Sequence, residues 1–310
     1  MLSINIPVYN VDVQKLVTEA ERQAVGAGID FEIRVYDDGS DGQFLHANRK
    51  LRDLEHVVYV ELPENMGRSA IRNKMGFDSQ KQYLLFIDAD SLIDSDNYLL
   101  NYIKAAYAGC IISGGTKYMD RKPEDPEKLL RWVYGRNREA IPAKDRYKQK
   151  GFVITSNNFL IDNEVFRKIH FREEIGPYGH EDTLLGYDLF TNNYVPHHID
   201  NPVVHAGLES SSVFLEKTQK ALENLLFIDQ EVVGNDSRFR EKVRFLNLFD
   251  RLSGYFPETL IGLSFRILKS FLRKNLTGRN PNLTLFDIYK VGYYATFKQS
   301  KYKPKKSVTK

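Results

Sequence analysis

The sequence predicts an α/β protein whose core is an open, mostly parallel sheet flanked by helices, followed by a helical C-terminal extension. Apolar segments of strand length alternate with segments of helical periodicity over residues 1–115, and no such alternation follows residue 212. In addition, two of the predicted strands end in acidic residues, Asp37-Asp38 and Asp88-Ala89-Asp90. Ligands bind outside the carboxyl ends of strands in such sheets, so these carboxylates mark a candidate site. For either pair alone, an acidic turn that caps the next helix is the alternative.

The spacing of apolar residues and of turn residues predicts the individual elements. In the first half we expect strands at 3–7, 31–35, 57–62 and 83–87. Helices are expected from about 13 to 26, from the acidic turn at 37–38 to about 54, and after a loop at 63–67. Next we expect a helix near 97–108, a strand near 110–114, a charged insertion at 119–150 with a helix around 126–138, and a strand at 151–161. Asp162 can cap a short helix after that strand.

Charge and composition limit the possible partners. The net charge of +3 hides an asymmetry, because residues 241–310 hold 15 Lys and Arg against 4 Asp and Glu, whereas residues 1–240 hold 29 against 37. A net charge of −8 on the body argues against nucleic acid as a partner. The single cysteine, Cys110, fits a reducing compartment. A strand from about Leu2 leaves no room for a secretory signal, so we expect a cytoplasmic protein or one on the inner face of the cytoplasmic membrane.

Four motifs occur in a fixed order in the first ninety residues. They are Ile-Pro-Val-Tyr-Asn at 6–10, Asp-Asp-Gly-Ser at 37–40, Asn-x-Gly-x-x-x-x-Arg-Asn at 65–73 and Asp-Ala-Asp at 88–90. This order resembles the inverting family 2 glycosyltransferases, which have a GT-A fold. The resemblance covers roughly residues 1–210 and implies a glycosyltransferase domain there. Its nucleotide-binding half would be 1–115 and its acceptor half 116–210, with 211–310 as a basic helical extension.

The resemblance implies a set of residues that bind a nucleotide-sugar donor. These are Pro7, Tyr9, Asn10, Asp37, Asp38, Arg72, Asp88 and Ala89. A uracil-like base presents an N–H group, which Asp38 or Asp37 would accept. Arg72 would help to hold the nucleotide, and the alternative is a surface cation that pairs with the acidic body.

A divalent cation, Mn²⁺ or Mg²⁺, is the implied cofactor, because it can neutralise a leaving diphosphate. By the resemblance Asp90 would ligate the metal, and His205 matches a position of a further ligand. Imidazole would favour Mn²⁺ over Mg²⁺. The alternative for His205 is a histidine at a strand end whose hydrogen bonds are satisfied by its neighbours. We assign no role to His197 or His198.

The segment Gly-Pro-Tyr-Gly-His-Glu-Asp at 176–182 carries the implied catalytic carboxylates. Inversion at an anomeric carbon needs one general base to deprotonate the acceptor hydroxyl, and the resemblance assigns this role to Asp182. Glu181 would support it or bind the acceptor, and Tyr178 could stack on an acceptor sugar. A helix cap would explain the two acids but not the loop before them.

The C-terminal extension contains an amphipathic segment at 259–274. Helical spacing places Leu260, Leu263, Ile267, Phe271 and Lys274 on one side, flanked by cations, and 301–306 forms a second basic cluster. Such a helix can lie in the interface of an anionic membrane. The alternative is a helix that packs on the core with a basic outer face.

Together these features predict an inverting, metal-dependent glycosyltransferase. It would move a hexose or N-acetylhexosamine from a nucleoside diphosphate donor, UDP by preference, to a glycan or lipid-linked glycan of a bacterial surface polysaccharide. Two alternatives are a sugar-phosphate nucleotidyltransferase and a non-catalytic protein that binds a membrane surface or a polyanion. The first would need a glycine-rich, basic loop after strand one, where this chain has Pro7-Val8-Tyr9-Asn10.

Overall fold

The computed structural model describes residues 1–149, 152, 154–175 and 178–301, which form two compact units. The first unit comprises Met1–Arg121, Gly135–Pro177 and Glu181–Leu208. The second comprises Lys122–Tyr134, Tyr178–His180 and Glu209–Lys310. The functional domains expected at 1–210 and 211–310 stay a prediction.

Among its described residues, the first unit is built on a seven-stranded sheet. The strands are β1 (Leu2–Val8), β2 (Phe31–Asp37), β3 (Val57–Glu61), β4 (Tyr83–Ile87), β5 (Ser91–Leu92), β6 (Ile111–Ser113), β7 (Thr116–Lys117), β8 (Asn158–Asp162), β9 (His197–His198) and β10 (Val203–His205). The main sheet has the order β3-β2-β1-β4-β8-β6-β9, and β5-β10-β7 form a second, small sheet. Strands β1 to β4 are parallel, whereas β8 runs antiparallel to both β4 and β6. This confirms the predicted open, mostly parallel sheet.

Helices connect the strands and form most of the second unit. They are α1 (Gln14–Gly26), α2 (Gly42–Asn48), α3 (Arg68–Asp78), α4 (Tyr98–Ala105), α5 (Leu129–Tyr134), α6 (Ala143–Arg146), α7 (Asn163–Lys168), α8 (Glu181–Thr191), α9 (Ser211–Phe227), α10 (Ser237–Lys242), α11 (Arg244–Tyr255), α12 (Glu258–Leu276) and α13 (Leu283–Lys301). Asp12 Oδ1 accepts from the Gln14 amide at 3.0 Å, and Asp162 Oδ1 accepts from the Glu164 amide at 2.9 Å. Asp162 therefore caps α7, as its position predicted, and Asp12 accepts from the first residue of α1.

The register of the sheet brings the acidic strand ends to one edge. β1 lies between β2 and β4, with Val8 opposite Asp37 and Leu2 opposite Tyr83. Apolar side chains that alternate along the strands, such as Ile4 and Ile33, are fully buried beneath the flanking helices. Because β1, β2 and β4 run in the same direction, the loops that follow them leave the sheet on the same side.

The sequence-based expectation differs from the structure at one strand and one small sheet. The strand expected at 151–161 begins only at Asn158, because a turn at 156–157 precedes it and the Asn158 amide donates to Thr155 O. Residues 151 and 153 of the expected strand lie outside the described residues. The small β5-β10-β7 sheet was not predicted, since strands of two or three residues are too short to show a periodic pattern.

The second unit has its own helical core. Leu215, Leu272, Leu276, Phe286 and Tyr289 are buried together. The helical character expected after residue 212 is thus confirmed. Across the described residues, every helix is too short or too polar to span a bilayer.

Candidate active site

The loops that follow β1 and β2 are joined by hydrogen bonds. The Asp38 amide donates to Val8 O over 2.8 Å, and the Asn10 amide donates to Ser40 Oγ over 2.8 Å. Asp37 is fully buried, and its Oδ1 accepts from the Ser40 amide at 2.7 Å. Its Oδ2 is also buried and has no hydrogen-bond partner within the described residues. Asp37 therefore shapes the turn and keeps one unmet acceptor, which is costly in a buried position.

Asp38 ties the turn after β2 to the 63–67 loop. Its Oδ1 accepts from the Met66 amide at 2.7 Å and its Oδ2 from the Gly67 amide at 3.2 Å. Burial raises the pKa of Asp38, although these two amides stabilise its charged form. Gly39 has φ 77°, and a Cβ there would lie 3.1 Å from Asn65 N. The close approach of the two loops therefore depends on glycine at this position.

Three further residues expected at the donor site, Pro7, Tyr9 and Asn10, lie at the end of β1 or in the loop that follows it. Pro7 is half-buried near the end of β1, whereas 54% of Tyr9 is exposed. Asn10 has φ 56°, a left-handed conformation that asparagine tolerates, and its Oδ1 accepts from the Asp41 amide at 2.7 Å. An exposed aromatic ring at the edge of the sheet thus stands on a fixed backbone.

Arg72 and Asp88 form an ion pair at the carboxyl end of β4. Arg72 Nη2 donates to Asp88 Oδ1 at 2.5 Å, and Arg72 Nη1 donates to Arg68 O at 2.9 Å. Only 2% of Arg72 is exposed, and its guanidinium lies 5.7 Å from the centre of the Phe171 ring. The alternative of a surface cation is therefore wrong, because the guanidinium is buried. Its contact in the structure is to Asp88, so its predicted contact with the donor stays a prediction.

Asp90, in the turn between β4 and β5, faces His205 at the end of β10. His205 Nδ1 lies 3.4 Å from Asp90 Oδ1, and β10 pairs with β5 so that His205 is opposite Ser91. The His205 ring also meets the edge of Tyr118, with ring centres 5.4 Å apart. At Gly207 a Cβ would lie 2.6 Å from Asp90 Oδ2. Glycine therefore keeps the space beside this carboxylate open. Ala89 is half-buried between the two acids.

This pair of side chains suits a divalent cation that a nucleotide also holds. Among the described residues, no group of three His, Cys, Asp or Glu side chains could bind a metal by itself. A divalent cation in a nucleotide site commonly takes one or two protein ligands, and phosphate oxygens and water complete its shell. The carboxylate of Asp90 and the imidazole of His205 fit that arrangement, and the nitrogen ligand favours Mn²⁺.

Glu181 and Asp182 begin α8 and titrate differently. Glu181 Oε1 pairs with Arg68 Nη1 at 3.2 Å, and its side chain is 7% exposed. Burial alone would raise the pKa of Glu181, but Arg68 and Arg72 outweigh it and the pKa is lowered. Burial and the neighbouring charge of Glu181 raise the pKa of Asp182 to about 7, although the Thr183 amide donates to its Oδ1 at 2.7 Å. One acid is thus held ionised while the other can exchange a proton near neutral pH.

Tyr178 belongs to the second unit, together with Gly179 and His180. Its ring lies below the Lys217 ammonium, 5.6 Å from Nζ to the ring centre. Gly179 has φ 88°, and its carbonyl accepts from Asn224 Nδ2 at 2.5 Å. Residues 176 and 177 of the predicted loop lie outside the described residues. The acceptor role of Tyr178 stays a prediction.

The sequence did not identify Arg68, Tyr118 or Gly207 as part of this arrangement. Arg68 contacts Glu181 from 113 residues away, so no local pattern reveals the pair. The signal that could have found Arg68 is its position directly after Gly67, in the motif that also contains Arg72. Gly207 stands two residues after His205, where a glycine next to a candidate ligand indicates close approach.

The open α/β sheet carries acidic strand ends and the Asp90–His205 pair on the same side, an arrangement that suits a nucleotide held together with a divalent cation. Residues 3–170 match the family model described as glycosyl transferase family 2, and the chain belongs to that family. The resemblance stated from the motifs is confirmed, and the family favours a glycosyltransferase over a nucleotidyltransferase. No curated protein sequence matches the chain at a significant level.

Solved structures share the fold at low sequence identity. The mannosyltransferase PcManGT from Pyrobaculum calidifontis, in complex with GDP-Man and Mn²⁺, has a TM-score of 0.58 and 12% identity, over 97% of this chain and 87% of that chain. The S. aureus TarS fragment 1-349 in complex with UDP has a TM-score of 0.51 and 17% identity, over 98% of this chain and 93% of that chain. At these identities the likeness concerns the fold alone.

Proposed function

We propose that the protein is an inverting, metal-dependent glycosyltransferase. Its donor would be a UDP-linked hexose or N-acetylhexosamine, and its acceptor a glycan or lipid-linked glycan of a bacterial surface polysaccharide, made on the cytoplasmic side of the membrane. The observation that carries this proposal lies at the carboxyl end of β4. There Asp88 is fixed by Arg72, and Asp90 faces His205 at 3.4 Å.

These side chains suit the leaving-group side of the reaction. A divalent cation, when bound, would neutralise the negative charge that develops on the diphosphate. Asp90 and His205 would be its protein ligands. Asp88, held by a buried guanidinium, would face the ribose or a metal-bound water with a fixed orientation. Asp37, Asp38 and the exposed ring of Tyr9 would line the base pocket beside it.

Asp182 would act on the acceptor side. The acceptor oxygen forms a bond to the anomeric carbon while the bond from that carbon to the diphosphate oxygen breaks. The electron pair of the broken bond leaves with the diphosphate, and Asp182 takes the proton of the acceptor hydroxyl. A pKa of about 7 suits this role, because the carboxylate is then a stronger base than an ordinary aspartate. Glu181 would stay ionised and hold the start of α8 through Arg68.

The identity of the donor's base depends on the contacts that Asp38 can make. The two structures of similar fold differ here, one having been solved with GDP-Man and Mn²⁺ and the other with UDP. Asp38 can accept one N–H group, which uracil and guanine both offer. We favour uracil because its single ring N–H group and its carbonyl oxygens suit one carboxylate with nearby backbone groups.

Melting temperatures in the presence of UDP-, GDP- and dTDP-sugars, each with and without Mn²⁺, test the proposal. A ligand at about 100 times its Kd stabilises the folded state by about 2.7 kcal/mol. We expect the largest rise with a UDP-sugar plus Mn²⁺. His205→Ala should lose the increment due to Mn²⁺, whereas His197→Ala, at an exposed histidine on β9, should keep it. If no nucleotide sugar raises the melting temperature, the proposal fails. If only GDP-sugars do, the choice of uracil is wrong.

A further inference from the structure

Helix α12 has two apolar faces, and only one of them is covered. Its buried residues are Gly262, Phe265, Leu272 and Leu276, and α12 packs on α13. The other face carries residues spaced by three or four positions, and most of their surface is exposed: 49% of Leu260, 54% of Leu263, 74% of Ile267 and 62% of Phe271. We call these four residues the α12 face. A contiguous apolar surface of this kind marks a binding surface, since scattered single residues are the norm elsewhere.

An apolar groove continues this face. It has a volume of about 510 Å³, and residues of α11, α12 and α13 line it. Leu260 belongs to both the groove and the α12 face, and Leu268 and Ile288 in the groove are themselves 44% and 46% exposed. Phe256, at the end of α11, is 52% exposed at the same groove. The groove is thus open at the side where the exposed residues lie.

Unpaired cations accompany the apolar residues. Arg266, Lys269, Arg273 and Lys274 are exposed on α12, and within the described residues none of them forms a salt bridge. Residues 259–276 contain no Asp or Glu. Two lysines of α13 differ, because Lys290 pairs with Asp287 and Lys298 pairs with Glu258. The positive charge of α12 is therefore not neutralised by its neighbours.

The combination of charge and apolar surface selects one partner. A second copy of the chain, docked by the same face about a two-fold axis, would bring the unpaired cations of the two copies towards one another, Lys274 most closely. The segment 302–310 holds four lysines and no acid, so it offers no complementary charge either. A soluble polyanion would pair with the cations but leave the apolar face in water. An anionic bilayer satisfies both parts, since its headgroups attract cations and its acyl region takes up apolar side chains.

We propose that the α12 face docks on the surface of an anionic lipid bilayer, with α12 in the plane of the interface and the groove taking up an acyl chain. From Leu260 to Phe271 the face is about 16 Å long, at about 1.5 Å per residue. This surface does not depend on the transfer reaction, and it would bring the enzyme to lipid-linked acceptors if the proposed function holds.

Flotation of the full chain with vesicles tests the docking surface. We expect binding to vesicles of phosphatidylcholine with phosphatidylglycerol, little binding to phosphatidylcholine alone, and weaker binding as salt is raised. The double variant Ile267→Asp, Phe271→Asp should bind about a hundredfold more weakly, because two large apolar side chains no longer enter the interface. Val195→Asp is the matched control, since Val195 is 79% exposed in the first unit, and it should bind like the wild type.

The cations are tested separately. Neutralising Arg266, Lys269, Arg273 and Lys274 to Gln one at a time should lower the affinity for anionic vesicles about fivefold per residue. Lys220→Gln, an exposed lysine on α9, is the control and should change it little. Unchanged melting temperatures would show that the variants fold.

Three results would overturn the docking proposal. They are a wild-type chain that fails to float with anionic vesicles, a double variant that floats as well as the wild type, and a dimer in solution that the double variant dissociates. Donor-dependent stabilisation is measured without lipid, so failure of the proposed function and failure of membrane docking remain distinguishable.

Discussion

Replacing Asp182 by Asn should abolish transfer and at the same time stabilise the fold. The pKa of Asp182 is about 7, against 3.8 for an ordinary aspartate. Between these two pH values the folded chain holds a proton that the unfolded chain has released. The free energy of unfolding therefore falls as the pH rises through this window, and the cost is complete above pH 7. Asparagine cannot ionise, so the variant avoids this cost.

The magnitude follows from the pKa shift. One pKa unit corresponds to about 1.4 kcal/mol, so a rise of about three units gives an upper limit of about 4 kcal/mol above pH 7. Glu181 adjoins Asp182, and a proton shared by the pair reduces the effect, so we expect about 2 kcal/mol. The amide oxygen of asparagine can still accept from the Thr183 amide, which limits other changes at the start of α8.

Urea unfolding of Asp182→Asn and wild type at about pH 8.5 and about pH 4.5 measures this difference, which should shrink at the lower pH. Glu181→Gln is the matched control with the opposite sign. The pKa of Glu181 is lowered, so its charge stabilises the fold above pH 4.5, and its loss leaves Arg68 without this partner. If Asp182→Asn is no more stable than wild type at the higher pH, or retains the wild-type transfer rate, the reasoning about this carboxylate is refuted.

Three further predictions concern the same edge of the sheet. Gly207→Ala should raise the Kd for Mn²⁺ at least about tenfold in calorimetric titrations with UDP present, because the new Cβ would lie 2.6 Å from Asp90 Oδ2. An unchanged Kd would contradict the metal assignment. Arg72→Met should lower the free energy of unfolding by about 3 kcal/mol in urea, since it leaves Asp88 without its buried partner, and a loss below about 1 kcal/mol would argue against that ion pair. The transfer rate should fall as the pH drops below about 7, because Asp182 becomes protonated, and a flat profile between about pH 5 and 8 would exclude it as the base.

Much of the fold followed from the sequence because its signals are local. The alternation of apolar residues at Phe31, Ile33 and Val35 predicted β2, and the helical character after residue 212 predicted the helices that follow it in the second unit. The strand at Asn158–Asp162 was placed too early, because apolar residues before it resemble a strand while a turn at 156–157 interrupts them.

The candidate site was predictable only in part, since its acids follow strands but their partners come from distant segments. Asp88 and Asp90 were found from the end of β4. The pairing of Asp88 with Arg72 was not, and the sequence left Arg72 as either a donor ligand or a surface cation. The roles of these residues in catalysis stay predictions, whereas the family is established.

The amphipathic pattern of α12 likewise did not show which side of the helix is buried. Its spacing placed Leu260, Leu263, Ile267 and Phe271 on one side, but two faces of this helix are apolar, and periodicity cannot tell which one packs on a neighbour. The tertiary structure decided that the other face is buried and this one exposed.

The sequence by itself determined the family, the alternation of strands and helices in the first half of the chain, and the acids at the strand ends, because motifs and periodicity are properties of neighbouring residues. Only the tertiary structure decided which charges meet, as Arg68 with Glu181 and Asp90 with His205. It also decided the burial that, together with the charge of Glu181, raises the pKa of Asp182 to about 7, while Arg68 and Arg72 lower the pKa of Glu181. The physical reason is that burial and Coulomb interactions depend on distance in space and not on separation along the chain.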